Sequence, residues 1–479
     1  MATIIFCLVV GMIGGAVMAF LGPILTAVFV MGLVAGGLIL RNTQFGIFAL
    51  VAVVCLLPFA AIPLPGNFPF TPTLLDIALA ALFFVWLMKI ATGRQETFGG
   101  TILGLPIFVF LLLSIASFLA GLSHALPTLN VARQFGEFLL AISLYYVVVN
   151  VVREPEQVQQ VVSVIILAGF MAALVGVVLY FLPQDLTIRL LSVLRVLHYP
   201  SGSDVLRFIE DNPDLPMRAT STSIDPNVFG GLLILVTVIT APQLVSEKPL
   251  PMFSWRRLRW RGINLLTVPV LGTMILCMML TYSRGAFTGM ALGLVYLGVF
   301  RYRRLLILLA IIALIALFLP QTQWYIQRYV EGIQGEDLAT QMRFGEYKDA
   351  FILISRYPIL GVGFTGTPDI DIYLGVSNMY LLIAEQLGLV GLGLFSLIVV
   401  LFFAQTFRWL RAVSANEGIA SLLISLQAAV VGALVGGIFD HYFLNFNFPH
   451  AVATFWLFIG LTMVVGSMVG ETEEKEATL

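Results

Sequence analysis

The chain has 479 residues, of which 59% are hydrophobic and only 11% charged, with a mean hydropathy of +1.00 and a net charge of -1. A soluble domain is about 25% charged, so a soluble enzyme, a disordered chain and a disulfide scaffold are all excluded. Long unbroken apolar runs also exclude a transmembrane β-barrel, whose strands alternate apolar and polar residues, and leave an all-α polytopic membrane protein.

Runs of about 20 apolar residues predict fourteen spans. They lie near 3–20, 24–40, 45–62, 72–90, 102–121, 134–152, 159–182, 226–245, 264–282, 285–300, 305–320, 376–404, 419–439 and 451–469. The first pair turns at Gly22-Pro23, and the N-terminus, with no basic stretch or cleavage site, reads as a retained first helix. Cys7, Cys55 and Cys277 all lie in apolar runs, so no disulfide is expected. Five regions follow: N-terminal helices over 1–182, a loop with an interfacial helix over 183–225, helices over 226–320, a large loop over 321–375, and helices over 376–479 ending in a short acidic tail.

Lys/Arg bias sets orientation. The segment SWRRLRWRG at 254–262 is the strongest cytoplasmic marker, and RYRR at 301–304 agrees with it. An even span count puts both termini inside and the 183–225 and 321–375 loops outside. The outer set nevertheless carries Arg133, Arg189, Arg195, Arg207, Arg218, Arg284, Arg328, Arg343, Lys348 and Arg356. Acidic neighbours, among them Glu210, Glu331 and Asp337, account for Arg207 and Arg328, whereas Arg218, Arg284 and Arg343 read as ligands for an anion. As exposed boundary residues, Arg284 and Arg343 are expected to add little to packing. The stretches TIRLLSVLRVLHYP and MRFGEYKDAFILISRYP read as interfacial helices roofing a cavity, the second with Phe344, Tyr347, Phe351 and Ile354 as its apolar face.

Four constellations stand out. Arg218 precedes Asp225-Pro226-Asn227, where Asp225 or Asn227 can cap a helix that Pro226 opens. The turn Thr281-Tyr-Ser-Arg-Gly-Ala puts Arg284 at the membrane boundary, with Ser283 and Gly285 leaving the backbone open to close approach. Arg343-x-x-Glu346-Tyr347 is followed by Pro358-Ile-Leu-Gly-Val-Gly-Phe, whose glycines permit a tight turn or approach to a ligand. Gly375-Val-Ser-Asn-Met-Tyr-Leu opens a span with Ser377 and Asn378 at its start, and Glu385 lies about two turns in, where it should hydrogen-bond inside the bundle. Asp369-Ile-Asp371 has the form of a metal- and sugar-nucleotide-binding pair but falls in an outer loop, away from nucleotide sugars. His124, His198, His441 and His450 lack metal-ligand spacing, and no nucleic-acid module or Walker motif occurs.

Together the last three constellations resemble the O-antigen ligase and O-antigen polymerase superfamily of bacterial envelopes. The SRG turn, an Arg in the following large loop, R-Y-P-I-L-G-V-G and N-x-Y-L…E-x-x-G-x-x-G recur in that order over about 265–404, with Arg218 and Asp-Pro-Asn extending the likeness upstream. The resemblance implies a GT-C-like bundle of about 12–14 transmembrane helices. It also implies a metal- and cofactor-independent glycosyltransferase of the inner membrane. Such an enzyme moves a glycan from a polyprenyl (usually undecaprenyl) diphosphate donor to an acceptor sugar at the outer face. By position, the diphosphate-binding role passes to Arg218, Arg284 and Arg343, and an acceptor or helix-start role to Ser377, Asn378 and Tyr380. Ligases carry His where this chain has Ser377, which leans toward a polymerase. A hydroxyl is a poor base, so the general base passes to another group, in the order Glu346, Asp225, Asp349, His441. Partners expected are the lipid-linked donor, a glycan or lipid-linked acceptor and the bilayer. A transporter or flippase of lipid-linked glycan is the alternative, though transporters place ionisable groups at the midplane, and here they cluster at the outer ends.

Overall fold

The computed structural model describes residues 26, 36, 37, 39–63, 70–93, 99–254, 259, 260, 262–367, 375–412 and 417–477. The first two expected spans with their Gly22-Pro23 turn, Cys7, most of the 254–262 basic segment and Asp369-Ile-Asp371 lie outside the described residues. Within them the protein is all-α, with one two-stranded antiparallel ribbon, Arg259–Trp260 with Ile263–Asn264. Among the described residues, eight helices are long and apolar enough to cross a membrane, and Gln44–Leu56, Thr267–Leu280 and Arg284–Phe300 are shorter apolar helices. The chain is thus an all-α polytopic membrane protein.

In chain order the helices are α1 (Gln44–Leu56), α2 (Leu74–Ala91), α3 (Gly104–Gly121), α4 (Leu129–Val151), α5 (Pro155–Phe181), α6 (Gln184–Ser192) and α7 (Pro226–Thr240). There follow α8 (Thr267–Leu280), α9 (Arg284–Phe300), α10 (Arg303–Phe318), α11 (Pro320–Gln334), α12 (Leu338–Arg356), α13 (Met379–Ala412), α14 (Glu417–Phe439) and α15 (Pro449–Ala477). The 45–62 run stops early, at Leu56, because Pro58 disfavours a helical residue before it, and Ala61 instead bridges Thr73. The acidic tail continues α15 as helix to Ala477.

Spans Pro226–Val245 and Pro449–Val469 are the most enclosed of the eight, with nearly all of their residues buried. Small residues let the backbones meet. A Cβ on Gly289 of α9 would lie 2.6 Å from the Gly432 carbonyl of α14, and one on Gly230 of α7 would lie 2.6 Å from Ala286. This packing aligns the starts of α7 and α9, which carry the candidate site.

The expected 376–404 span is not one continuous helix. α13 breaks at Gly388 (φ 71, ψ -177), and the carbonyls freed there are satisfied from outside the helix. The Val362 N–H donates to the Glu385 carbonyl (2.9 Å) and the Gly363 N–H to that of Gln386 (3.1 Å), while the Leu389 N–H donates to Pro358 (2.7 Å). Pro358-Ile-Leu-Gly-Val-Gly therefore docks into the broken helix. Its glycines admit protein backbone rather than a ligand: a Cβ on Gly361 would sit 2.4 Å from the Gln386 carbonyl carbon. Glu385 lies inside the bundle and accepts from the Gly375 N–H (3.4 Å).

The 183–225 loop folds as α6 and three short 3-10 turns, and the 321–375 loop as the α11–α12 hairpin. α11 ends at Gly335, whose φ of 73 suits glycine. α12 turns Ala350 and Leu353 into the protein, with Tyr347 packed beside Ala350, while Phe344 and Phe351 of the expected apolar face are exposed.

Candidate active site

The SRG turn follows directly from local chemistry. Thr281 ends α8 by donating its hydroxyl to the Met278 carbonyl (2.7 Å) and accepting the Ser283 N–H (3.2 Å). Tyr282 lies in the left-handed region (φ 53), which bulky residues rarely occupy and which functional turns tolerate. The chain then reverses, and Ser283 stands at the N-cap of α9 with Arg284 as its first residue. Arg284 therefore adds to the positive end of a helix dipole. Gly285 does not open the backbone to a ligand, because a Cβ there would lie 2.5 Å from the Phe439 Cβ.

A cavity of about 550 Å³ lies under the two long loops, and Arg218, Arg284 and Arg343 all line it. Each is held differently. Arg218 is buried, donating from Nε to the Thr281 carbonyl (2.8 Å) and from Nη2 to Asn227 Oδ1 (2.7 Å). Its backbone continues the Phe208–Met217 bridge, with its N–H on the Arg207 carbonyl (2.7 Å). Burial lowers its pKa to about 10, against the pull of Asp225, Asp440 and Asp211, so it stays cationic at neutral pH. Arg284 donates from Nη1 to the Arg328 carbonyl (2.9 Å) and pairs through Nη2 with Asp337. It is thus built into the loop, contrary to the expectation for an exposed boundary arginine. Arg343 is half-buried on α12 and has no hydrogen bond or ion pair among the described residues.

Asp225, Glu346, Asn378, Tyr380 and Arg207 are not on this wall, whereas Arg328 is. Asp225 caps α7, its Oδ1 accepting from the Asn227 (2.7 Å) and Val228 (3.0 Å) N–H groups, and burial raises its pKa. Glu346 accepts the Ser377 N–H on Oε2 (2.9 Å). Asn378 caps α13, its Oδ1 accepting from Tyr380 (2.9 Å) and Leu381 (3.0 Å), and the Tyr380 hydroxyl donates to the Leu434 carbonyl (2.8 Å). Arg207 donates from Nε to the Ile224 carbonyl (3.3 Å). Arg328 pairs with Glu210 (2.9 Å) and lies near Glu331 (3.9 Å).

Sequence reasoning passed over three features of the wall. Asp337, buried in the loop, holds Arg284. Hydrogen bonds from Thr340 and Arg284 outweigh its burial and hold its pKa below the ordinary carboxylate value. Tyr282 stacks on Tyr325 (5.0 Å, 8°), and Tyr329 donates its hydroxyl to the Arg284 carbonyl (2.8 Å). Thr281-Tyr-Ser-Arg names Tyr282, but nothing local links it to Tyr325, forty-three positions on.

The structure thus combines a helical membrane bundle with a cavity whose wall is rich in arginine. Residues 269–396 match the family described as O-Antigen ligase. The match places this segment in the O-antigen ligase and polymerase superfamily, and supports a membrane enzyme that ligates or polymerises glycans. It covers Arg284, Arg343, the Pro358–Gly363 strap and Ser377–Tyr380, while Arg218 and His441 lie outside it. No curated protein matches the chain.

Proposed function

We propose that the protein transfers or polymerises a glycan carried on a polyprenyl diphosphate onto an acceptor sugar, at the outer face of the bacterial inner membrane and without a metal. The observation that carries this reading is the meeting of Arg218, Arg284 and Arg343, from three distant segments, on one cavity. The departing diphosphate gains negative charge as the glycosidic bond breaks, and fixed guanidinium groups and a helix N-terminus stabilise that charge where it develops. Tyr282 and Tyr325 add aromatic surface for a sugar face. Ala313 and Leu317 bring the cavity to α10, whose exposed Ile311, Leu314 and Phe318 give the isoprenoid tail an apolar path to the bilayer. Exposed Ile333, Phe344 and Phe351 let the α11–α12 hairpin rest on the outer leaflet.

A flippase would bind the same donor without breaking its glycosidic bond. The test is purified protein in nanodiscs with lipid-linked oligosaccharide extracted from producing cells. Longer or ligated glycan plus free polyprenyl diphosphate is expected, falling by about 10²–10³-fold on loss of one arginine. Binding of the donor without any bond cleavage would overturn the enzyme reading and favour transport.

A further inference from the structure

Glycosyl transfer also needs a group to take the proton from the attacking hydroxyl, and the cavity wall offers none that is free. Its carboxylates are committed, Glu210 to Arg328 and Asp337 to Arg284. Its tyrosines Tyr325 and Tyr329 are neutral donors, their phenol pKa values raised by burial. Of the four histidines, His450 is fully enclosed with neither ring nitrogen bonded, and His124 lies edge-on to Tyr357. His198 lies in the left-handed turn after α6.

His441 is different. It follows α14, and the Asp440 carboxylate accepts both its backbone N–H (2.8 Å) and its Nδ1–H (2.9 Å). A carboxylate can only accept, so Nδ1 carries the proton and Nε2 presents its lone pair. Nε2 has no protein partner among the described residues, and the side chain keeps 23% exposure. The turn is locked to the start of α13: the Met379 N–H donates to the Asp440 carbonyl (3.1 Å) and Asn378 Nδ2 to the Ile438 carbonyl (2.8 Å). The charged groups acting on the pair include two of the cavity arginines. Arg343 and Arg218 interact with Asp440, while Glu346 and Asp225 interact with His441. Burial works against the imidazolium, but Asp440, Glu346 and Asp225 outweigh it and raise the pKa, making the ring a stronger base.

We infer that His441 is the general base of the transfer, with Asp440 as its positioning residue. This rests on the glycosyl-transfer reading. The acceptor glycan's hydroxyl oxygen forms a bond to the anomeric carbon of the donor sugar, and its proton passes to His441 Nε2. The bond from that carbon to the phosphate oxygen breaks, and its electron pair leaves with the polyprenyl diphosphate. The imidazolium, paired with Asp440, then gives the proton to solvent.

The experiment compares wild type, His441→Gln, Asp440→Asn and His441→Gly in nanodiscs, measuring single-turnover transfer and undecaprenyl diphosphate binding. His441→Gln should lose at least about 100-fold in transfer while binding the diphosphate within a few-fold of wild type. Asp440→Asn should show a smaller loss, with the acid limb of its pH profile moved to lower pH. Added imidazole should restore part of the His441→Gly activity, which a merely structural histidine would not allow. Transfer by His441→Gln within threefold of wild type overturns the assignment, as does an inactive His441→Gly that imidazole leaves inactive. A wild type that binds undecaprenyl diphosphate and transfers nothing overturns this assignment and the transfer reading together.

Discussion

Arg218, Arg284 and Arg343 differ in what their removal would uncover. Arg343 bonds to nothing among the described residues, so Arg343→Ala should cost activity alone, with the melting temperature within about 2 °C of wild type. Arg218→Ala strands the Thr281 carbonyl and Asn227, both near a buried turn, and should cost about 1–3 kcal/mol besides. Arg284→Ala leaves Asp337 buried and unpaired, so stability should fall and be partly recovered by adding Asp337→Ala, a coupling that a double-mutant cycle measures. The pH dependence has a definite sign. Asp337 has a folded pKa below its unfolded one, so its contribution is full above the ordinary carboxylate value of about 3.9 and is lost as pH falls through the folded value. Thermal melting from pH 7 to pH 3 should therefore steepen less in Asp337→Asn than in wild type. An equal slope would show that the pair adds nothing.

At the scale of elements, the break in α13 and its strap are the least forgiving structure. Gly388 has φ 71, and a Cβ there would lie 2.1 Å from the Ile359 carbonyl oxygen. Gly388→Ala should therefore abolish the monodisperse peak in detergent, whereas Gly345→Ala, on α12 with nothing within 4 Å of a Cβ, should leave it intact. Comparable peaks for both would contradict the docked strap. Here lies the limit of what the sequence made legible. The 226–245 span was readable to the residue because Asp225-Pro226 is a helix start and the run after it carries no charge. The glycines of Gly361-Val-Gly363 and Gly285 were readable as sites of close approach, but not as to what approaches: in both places it is protein. The break at Gly388 was hidden because the apolar run resumes directly after it and carries the span on to 404. The arginines could be singled out because they defy the topology bias. Asp337 was set aside as one of several neutralising neighbours, and its pairing with Arg284 crosses fifty-three residues, so only the fold reveals it.

At the scale of the whole molecule, the proposed chemistry draws on two features, the arginine cavity and the His441 turn. The cavity under the loops offers cations to the donor, and the His441 turn, pinned to the start of α13, offers a base. Such an arrangement serves a donor and an acceptor held at the same time. It works only if the cavity end faces the compartment that holds both substrates, which makes orientation the decisive property of the assembly. The Lys/Arg bias puts Arg303 on the cytoplasmic side and Gln334, at the tip of the α11–α12 hairpin, on the outer side; both are exposed. With Cys7, Cys55 and Cys277 replaced, Gln334→Cys in intact spheroplasts should react with a membrane-impermeant maleimide, and Arg303→Cys only after lysis. The opposite pattern would leave the arginine cavity facing the cytoplasm. A donor already flipped to the outer leaflet could not then reach it, and the glycan-transfer reading would fail whatever the arginine variants did.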